Sequence, residues 1–352
     1  MKKLLVNAGV MCLFSILGVS AQATTATFQI ITDPVTGTWA NFAFSGDGTV
    51  MAANYGGEIY RWTATGGFQD LGPGDPYSSS IGISRDGSTI ISGSIGSDGF
   101  SRPTLWNSKG LVDLGHPKNG CTDIGNSWGS GYGVSAAGKV AVGLAWTCKY
   151  AEGFVWTAKG GNVSLGHPGG NHSSRASAIS ANGKMIVGFW EDPTGPRRPV
   201  RWVNGKHDLF LGAKTIGEAT AVNSNGSKIA GQAPDANGNG VAFLYSDKKG
   251  LLSLGTINHG PTDQSVANGI SDNGIVVGWS GDPFGDGIEA FFWSADTGTA
   301  SLATVLKQYG ANIPDGTILF TAVSISADGS TMAGEYMDSQ FNFGNFMAHI
   351  TK

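Results

Sequence analysis

The sequence predicts an all-β fold, a seven-bladed β-propeller of four-stranded antiparallel blades closed into a ring by its N-terminal strand. Three observations carry that prediction. The chain repeats itself about every 47 residues, each repeat holds four short apolar runs, and the last repeat lacks a fourth run that the N-terminus can supply. Periods of this size mark solenoids, propellers or arrays. Composition agrees, with 56 glycines in 352 residues, only 14 % charged residues and 40 % hydrophobic ones. That profile excludes a disordered polyelectrolyte. The formal charge of −4 gives no electrostatic case for nucleic-acid binding.

Taken in order, residues 1–23 read as a signal peptide. Lys2 and Lys3 precede an apolar stretch from Leu4 to Val19, and Ala21-Gln22-Ala23 has the small-x-small form of a cleavage site. The stretch is too short to read as a membrane span, so no membrane insertion is expected. Residues 24–352 are then a single exported domain, periplasmic or extracellular. Two cysteines remain in it, Cys121 and Cys148. In an oxidising compartment they are expected to form one disulfide.

The first strand is expected at Ala26 to Ile31. Seven turns follow, beginning with Ser45-Gly46-Asp47-Gly48 and ending with Ser326-Ala327-Asp328-Gly329. Asp-Gly and Asn-Gly pairs favour the positive φ of hairpin turns. The fourth repeat shows the pattern: strand a at 176–180, strand b at 185–188, strand c at 199–202 and strand d at 207–209. Strand a is rich in small residues such as Ala176, Ala178, Ala219 and Ala221. Strand c ends in an aromatic in the first six repeats, among them Trp106, Trp202 and Trp293, and His349 takes that place in the seventh. Small inner strands and bulky outer ones suit wedge-shaped blades around an axis. An i, i+3, i+4, i+7 stripe at Leu302, Val305, Leu306 and Tyr309 predicts a short helix. The seventh repeat stops after strand c (345–350), so the N-terminal strand is expected to complete it. Such closure leaves no free edge, and a monomer is expected. A long β-solenoid is the alternative architecture.

Particular strings carry a family resemblance. Ala221-Val222-Asn223-Ser224-Asn225-Gly226, then Lys228-Ile229-Ala230-Gly231 and Val241-Ala242-Phe243-Leu244-Tyr245, resemble the HAF-type extracellular repeat family. Ala267 to Gly274, Val276-Val277-Gly278 and Glu289-Ala290-Phe291-Phe292-Trp293 repeat the match. Val241 and Glu289 stand where the namesake histidine belongs. The resemblance covers essentially all of residues 24–352 and implies a secreted or surface β-propeller, without implying a reaction.

No zinc-protease, nucleophile-elbow or phosphate-loop motif is present, and no cofactor or metal is expected. In a propeller the d-to-a and b-to-c loops share one face, and here they are long and irregular, the usual place for binding residues. The d-to-a loops carry His116, His167, His172 with Arg175, and His259. Strand b ends on the same face with Trp190 and Trp279, beside charged residues such as Asp192, Arg197 and Arg198. Aromatic rings next to polar groups suit sugar stacking. The expectation is therefore a binding or scaffold module whose loop face takes a glycan or protein ligand. The candidate ligand-binding residues are His116, His167, His172, Arg175, Trp190, His259 and Trp279, and the last six are expected to ring one mouth of the central channel. The alternative is a lyase for acidic polysaccharides, with His or Tyr132 as base and Arg175 as the cation that acidifies the α-proton. Asp235 to Gly240 opens like a calcium loop, but Ser246 stands where the closing glutamate belongs, so an ordinary Asn/Gly loop is expected.

Overall fold

A computed structural model describes residues 24–32, 34, 40–78, 80–117, 129–147, 150–166, 172–284 and 287–351. Cys121, Cys148 and His167 lie outside them, and so does the disulfide expected of the two cysteines.

Among the described residues the strands form seven four-stranded sheets. The chain enters through β1 (Thr25–Ile31). Blade 1 holds β2 (Ala40–Phe44), β3 (Val50–Tyr55), β4 (Glu58–Thr63) and β5 (Gly67–Pro73). Blade 2 holds β6 (Gly82–Ile83), β7 (Ile90–Ile95), β8 (Ser101–Asn107) and β9 (Gly110–Asp113). In blade 3 come β10 (Gly129–Val134), β11 (Val140–Thr147), β12 (Tyr150–Thr157) and β13 (Gly161–Ser164). Blade 4 follows with β14 (Ser174–Ile179), β15 (Met185–Glu191), β16 (Arg197–Val203) and β17 (Lys206–Asp208). Blade 5 has β18 (Glu218–Val222), β19 (Ile229–Pro234), β20 (Gly240–Ser246) and β21 (Gly250–Gly255). Blade 6 has β22 (Gln264–Ile270), β23 (Val276–Gly281), β24 (Glu289–Ser294) and β25 (Gly298–Ser301). After helix α1 (Leu302–Gln308), blade 7 adds β26 (Ile318–Ile325), β27 (Thr331–Met337) and β28 (Phe343–Thr351).

The missing strand is found where the sequence places it. Its order in blade 7 is β1-β28-β27-β26, with Phe28 opposite Ala348 and Ile31 opposite Asn345. The protein is a closed ring of seven blades, and the solenoid alternative falls away.

The turns between the first two strands of each blade share one construction. The glycine N–H donates to the carbonyl of the first turn residue at 2.9–3.0 Å in all seven. That first residue also offers a side-chain oxygen to a backbone N–H four or five residues on, as Ser45 does to Val50 at 3.0 Å and Asn223 to Lys228 at 3.0 Å. This is why Ser or Asn opens every turn. Only the glycines have positive φ, between 67° and 92°. The Asp or Asn before each, Ala137 in blade 3, keeps negative φ, so these are four-residue turns closed by a left-handed glycine rather than two-residue mirror-image turns.

Inner strands of blades 3 to 7 carry a register shift, for example between Ala176 and Ala178 and between Ala267 and Gly269. Each bulge turns a carbonyl toward a glycine of the second strand. A Cβ at Gly188 would lie 1.9 Å from the Arg175 oxygen, and one at Gly278 1.8 Å from the Val266 oxygen. A Phe ring of the third strand covers the same glycine in blades 3, 5, 6 and 7, at 2.7–2.8 Å from that imagined Cβ (Phe154, Phe243, Phe291, Phe346). The recurring glycine and the recurring Phe are thus one packing unit.

The core lies between blades rather than at the axis. Seven apolar clusters fill the interfaces, the largest joining blades 6 and 7 with the buried face of α1 (Leu302, Val305, Leu306). Gly310 and Ala311 end the helix by donating to the Lys307 and Leu306 carbonyls at 3.0 Å each, the paired bonds of a Schellman motif. The Tyr309 carbonyl accepts the Ala26 N–H at 2.7 Å, which ties helix to closing strand.

Candidate functional site

The inner strands surround an axial channel, and its character changes along its length. At the level of the last residue before each turn, seven apolar side chains form a collar: Phe44, Ile83, Val134, Ile179, Val222, Ile270 and Ile325. It separates a loop-side cavity of about 460 Å³ from a turn-side vestibule of about 160 Å³. Arg85 of blade 2 reaches across the vestibule to Asp272 of blade 6, with 3.0 Å between Nη1 and Oδ2, and also bonds Ser224 of blade 5. Partial burial raises the Asp272 pKa, but bonds from Arg85 and Ser224 outweigh it and hold it below the carboxylate norm.

Backbone bonds between neighbouring turns hoop this end of the ring, as from Gly46 to Arg85 (2.8 Å), Ala136 to Ala181 (2.9 Å) and Asp272 to Ala327 (2.7 Å).

Above the collar the wall is polar. Tyr132, Ser177, Thr220 and Asn268 occupy the bulge positions of four successive inner strands, and each reaches the next blade. Thr220 donates to the Ala267 carbonyl at 2.5 Å, Asn268 to the Ala322 carbonyl at 3.0 Å, and Ser177 to Glu218 Oε1 at 3.1 Å. Tyr132 lies under the Arg175 guanidinium, 4.9 Å from ring centre to Cζ. A bulge re-aims one side chain out of the alternating pattern, and here that residue staples adjacent blades along the channel.

Arg175 is the centre of the polar wall. It pairs with Glu218, contacts Ser177 at 3.1 Å and stands 5.0 Å from the Phe189 ring. Arg197 joins from the start of β16, 3.1 Å from Glu218 Oε2 and 4.1 Å from the same Phe189 ring. Burial alone would lower the Arg175 pKa, but Glu218 and Tyr132 overcome it and push the pKa up, so the cation is permanent. Both guanidiniums reach Glu218, Arg197 also stands 3.9 Å from Glu191, and Arg175 alone of the two lines the cavity, a cation able to receive an anionic or hydroxyl-rich group.

The expected convergence is otherwise corrected. Of the described candidates, only Arg175 lines the channel cavity. Trp190 is buried between blades 3 and 4, 7 % exposed, in a cluster with Val142, Ala176 and Trp202. Trp279 is half-buried in β23, opposite Val266 and Ala290. The tryptophans therefore build no sugar platform at the channel mouth. His116 sits beside Arg102 between blades 2 and 3, where burial and then that cation lower its pKa. His172 lies against the Tyr150 ring at 5.8 Å. His259 is exposed on its loop, with φ of 57°. Sequence spacing assigns each residue to a blade but not to the channel or the rim.

The acidic loop residues are engaged within their own loops. Asp192 accepts the Thr194 hydroxyl at 2.6 Å, pairs with Arg198 and takes the Thr194 N–H at 2.7 Å, and these bonds pull its pKa down to about 2. Asp235, Asp282 and Asp338 open their loops likewise, each accepting the N–H two residues on at 2.8–2.9 Å. The Asp235 carboxylate also takes the Asn239 N–H, at 2.9 Å, so it is spent on an Asx turn. Glu218 and Ser177 are the site residues that sequence reading missed. Their one signal is an odd acidic residue at the head of a small-residue strand.

A ring of blades with a half-closed polar channel defines a β-propeller module. No family model and no curated protein matches the chain. Among solved structures, the β-propeller domain of the trilobed protease from Pyrococcus furiosus aligns at 11 % identity and a TM-score of 0.56, over 92 % of this chain and 95 % of that one. A putative TolB from Agrobacterium tumefaciens aligns at 17 % identity and a TM-score of 0.48, over 66 % of this chain and 88 % of that one. TolB from Acinetobacter baumannii aligns at 12 % identity and a TM-score of 0.44, over 59 % of this chain and 52 % of that one. The likeness to the protease domain spans nearly all of both chains and shows the shared fold.

Proposed function

We propose that this protein is an exported, HAF-type β-propeller binding module that takes a glycan or protein ligand at the loop-side mouth of its channel. One observation carries the reading. Arg175 lines a cavity of about 460 Å³ that narrows at an apolar collar, beside Tyr132 and Glu218, and Arg197 backs it by pairing with Glu218 and, at 3.9 Å, with Glu191. Fixed cations in a concave, pre-formed setting are the usual anchor for an acidic ligand group. Export rests on the leader-like residues 1–23. No helix among the described residues is long and apolar enough to cross a membrane.

The test is calorimetry with oligogalacturonate and with a neutral oligosaccharide of equal length. Binding of the acidic oligomer, lost in Arg175→Gln and weakened in Tyr132→Phe, is the expected result. Equal binding by wild type and both variants would remove the channel from consideration. The lyase alternative keeps only Tyr132 and Arg175, since the described histidines stand elsewhere. It requires the ultraviolet absorbance of an unsaturated uronate product, abolished by Tyr132→Phe.

A further inference from the structure

The turn face, stereotyped in sequence, holds a second feature. Here lie two adjoining hollows, one of about 620 Å³ between blades 5 and 6 and one of about 310 Å³ that runs on to blade 7, sharing Lys228, Leu244, Lys249, Trp293 and Ala295. Lys228 follows the first turn of blade 5, and Lys248 and Lys249 occupy the turn between β20 and β21. The floor is apolar. Trp293 is half-exposed, as are its counterparts Trp62 and Trp156 in blades 1 and 3, and Leu252 is 48 % exposed.

Charge runs against the rest of the molecule. The chain carries −4 overall, yet three lysines meet on this groove. Its acidic residue Asp247 is already satisfied from outside, by Arg201 at 2.7 Å and the Tyr245 hydroxyl at 3.1 Å. Asp296 lines only the smaller hollow. Lys228 spends one N–H on the Asp272 carbonyl, at 2.8 Å, and keeps two. The groove therefore presents cations around an apolar floor.

We propose that this groove is a docking site for an acidic peptide segment of a partner protein, one that seats a Phe- or Leu-sized side chain on Trp293 and Leu252 between carboxylates held by the lysines. A neutral sugar could stack on Trp293 but would leave the three lysines without a counter-charge. An extended segment supplies both chemistries from alternate side chains. The site is independent of the channel, on the opposite face.

The test is selection of a displayed random twelve-residue peptide library on the intact protein, followed by calorimetry of the enriched peptides. Enriched peptides should place Phe, Leu or Trp among Asp and Glu. Their affinity should fall at least tenfold in K248E/K249E and in Leu252→Asp, both surface changes. It should stay within twofold in K109E/K159E, which reverses two exposed lysines on the equivalent turns of blades 2 and 3. Absence of acidic-apolar enrichment overturns the assignment. So does equal loss in K109E/K159E, which would mean general charge attraction. Binding of polygalacturonate or anionic vesicles that K248E/K249E abolishes, without peptide binding, gives the groove to another ligand class and overturns it too.

Discussion

Glu218 holds two guanidiniums, and its loss would strand the more buried of them. The Arg175 and Glu218 side chains are 22 % and 13 % exposed, so Glu218→Ala should cost about 2–4 kcal/mol in urea unfolding at pH 7. Glu335 in β27 makes the opposite case. Desolvation pushes its carboxyl up to about 7 from an ordinary 4.5. The folded state therefore keeps a proton that the unfolded state releases, and stability falls as pH rises from about 4.5 through 7. Glu335→Gln removes this penalty. It should unfold at higher urea than wild type at pH 8, by of order 2–3 kcal/mol, with the gap closing toward pH 4. At this scale the sequence was only partly legible. Arg175 stood out as a cation on an irregular loop. Its partner lies 43 residues away on the next blade, and nothing local to Glu218 announces that contact. Trp190 misled because strand periodicity assigns faces only relative to one another, and both faces of a propeller strand are covered by neighbouring blades.

Repeating elements were far easier to read, because each turn is a local device. Ser or Asn opening and Gly closing are required by bonds within six residues. Helix α1 was equally plain from its apolar stripe, although its last aromatic, Tyr309, turns out to cap the helix and hold the closing strand. The second-strand glycines were visible as a pattern without their reason, which needs a bulge that no periodicity predicts. Gly278→Ala puts a methyl 1.8 Å from the Val266 carbonyl oxygen and 2.8 Å from the Phe291 ring. It should cost about 2–3 kcal/mol by thermal or urea unfolding. Gly66→Ala is the matched control, since its methyl meets only the Thr63 hydroxyl, at 2.8 Å, and should change stability by less than about 1 kcal/mol.

At the scale of the whole ring, a single strand joins first residues to last. Removing residues 24–31 takes Ala26 and Phe28 from the largest apolar cluster and uncovers the full edge of β28. The truncated protein should melt roughly 5–10 °C lower, and should elute as a dimer or larger in size-exclusion chromatography as bare edges find each other. The same seam sets an order of events. Thr25 faces Thr351 across it, so the strand that leaves the ribosome earliest is the one whose partner arrives last. Contacts this distant in sequence are slow to form, and the first segment must wait, extended and open to proteases, while six blades assemble ahead of it. Pulse proteolysis during refolding should find the 24–31 segment cut long after the blade hairpins resist. A ring built this way is finished only when its first and last strands meet, so until then its earliest-made blades are held in an arc that a single late contact turns into a circle.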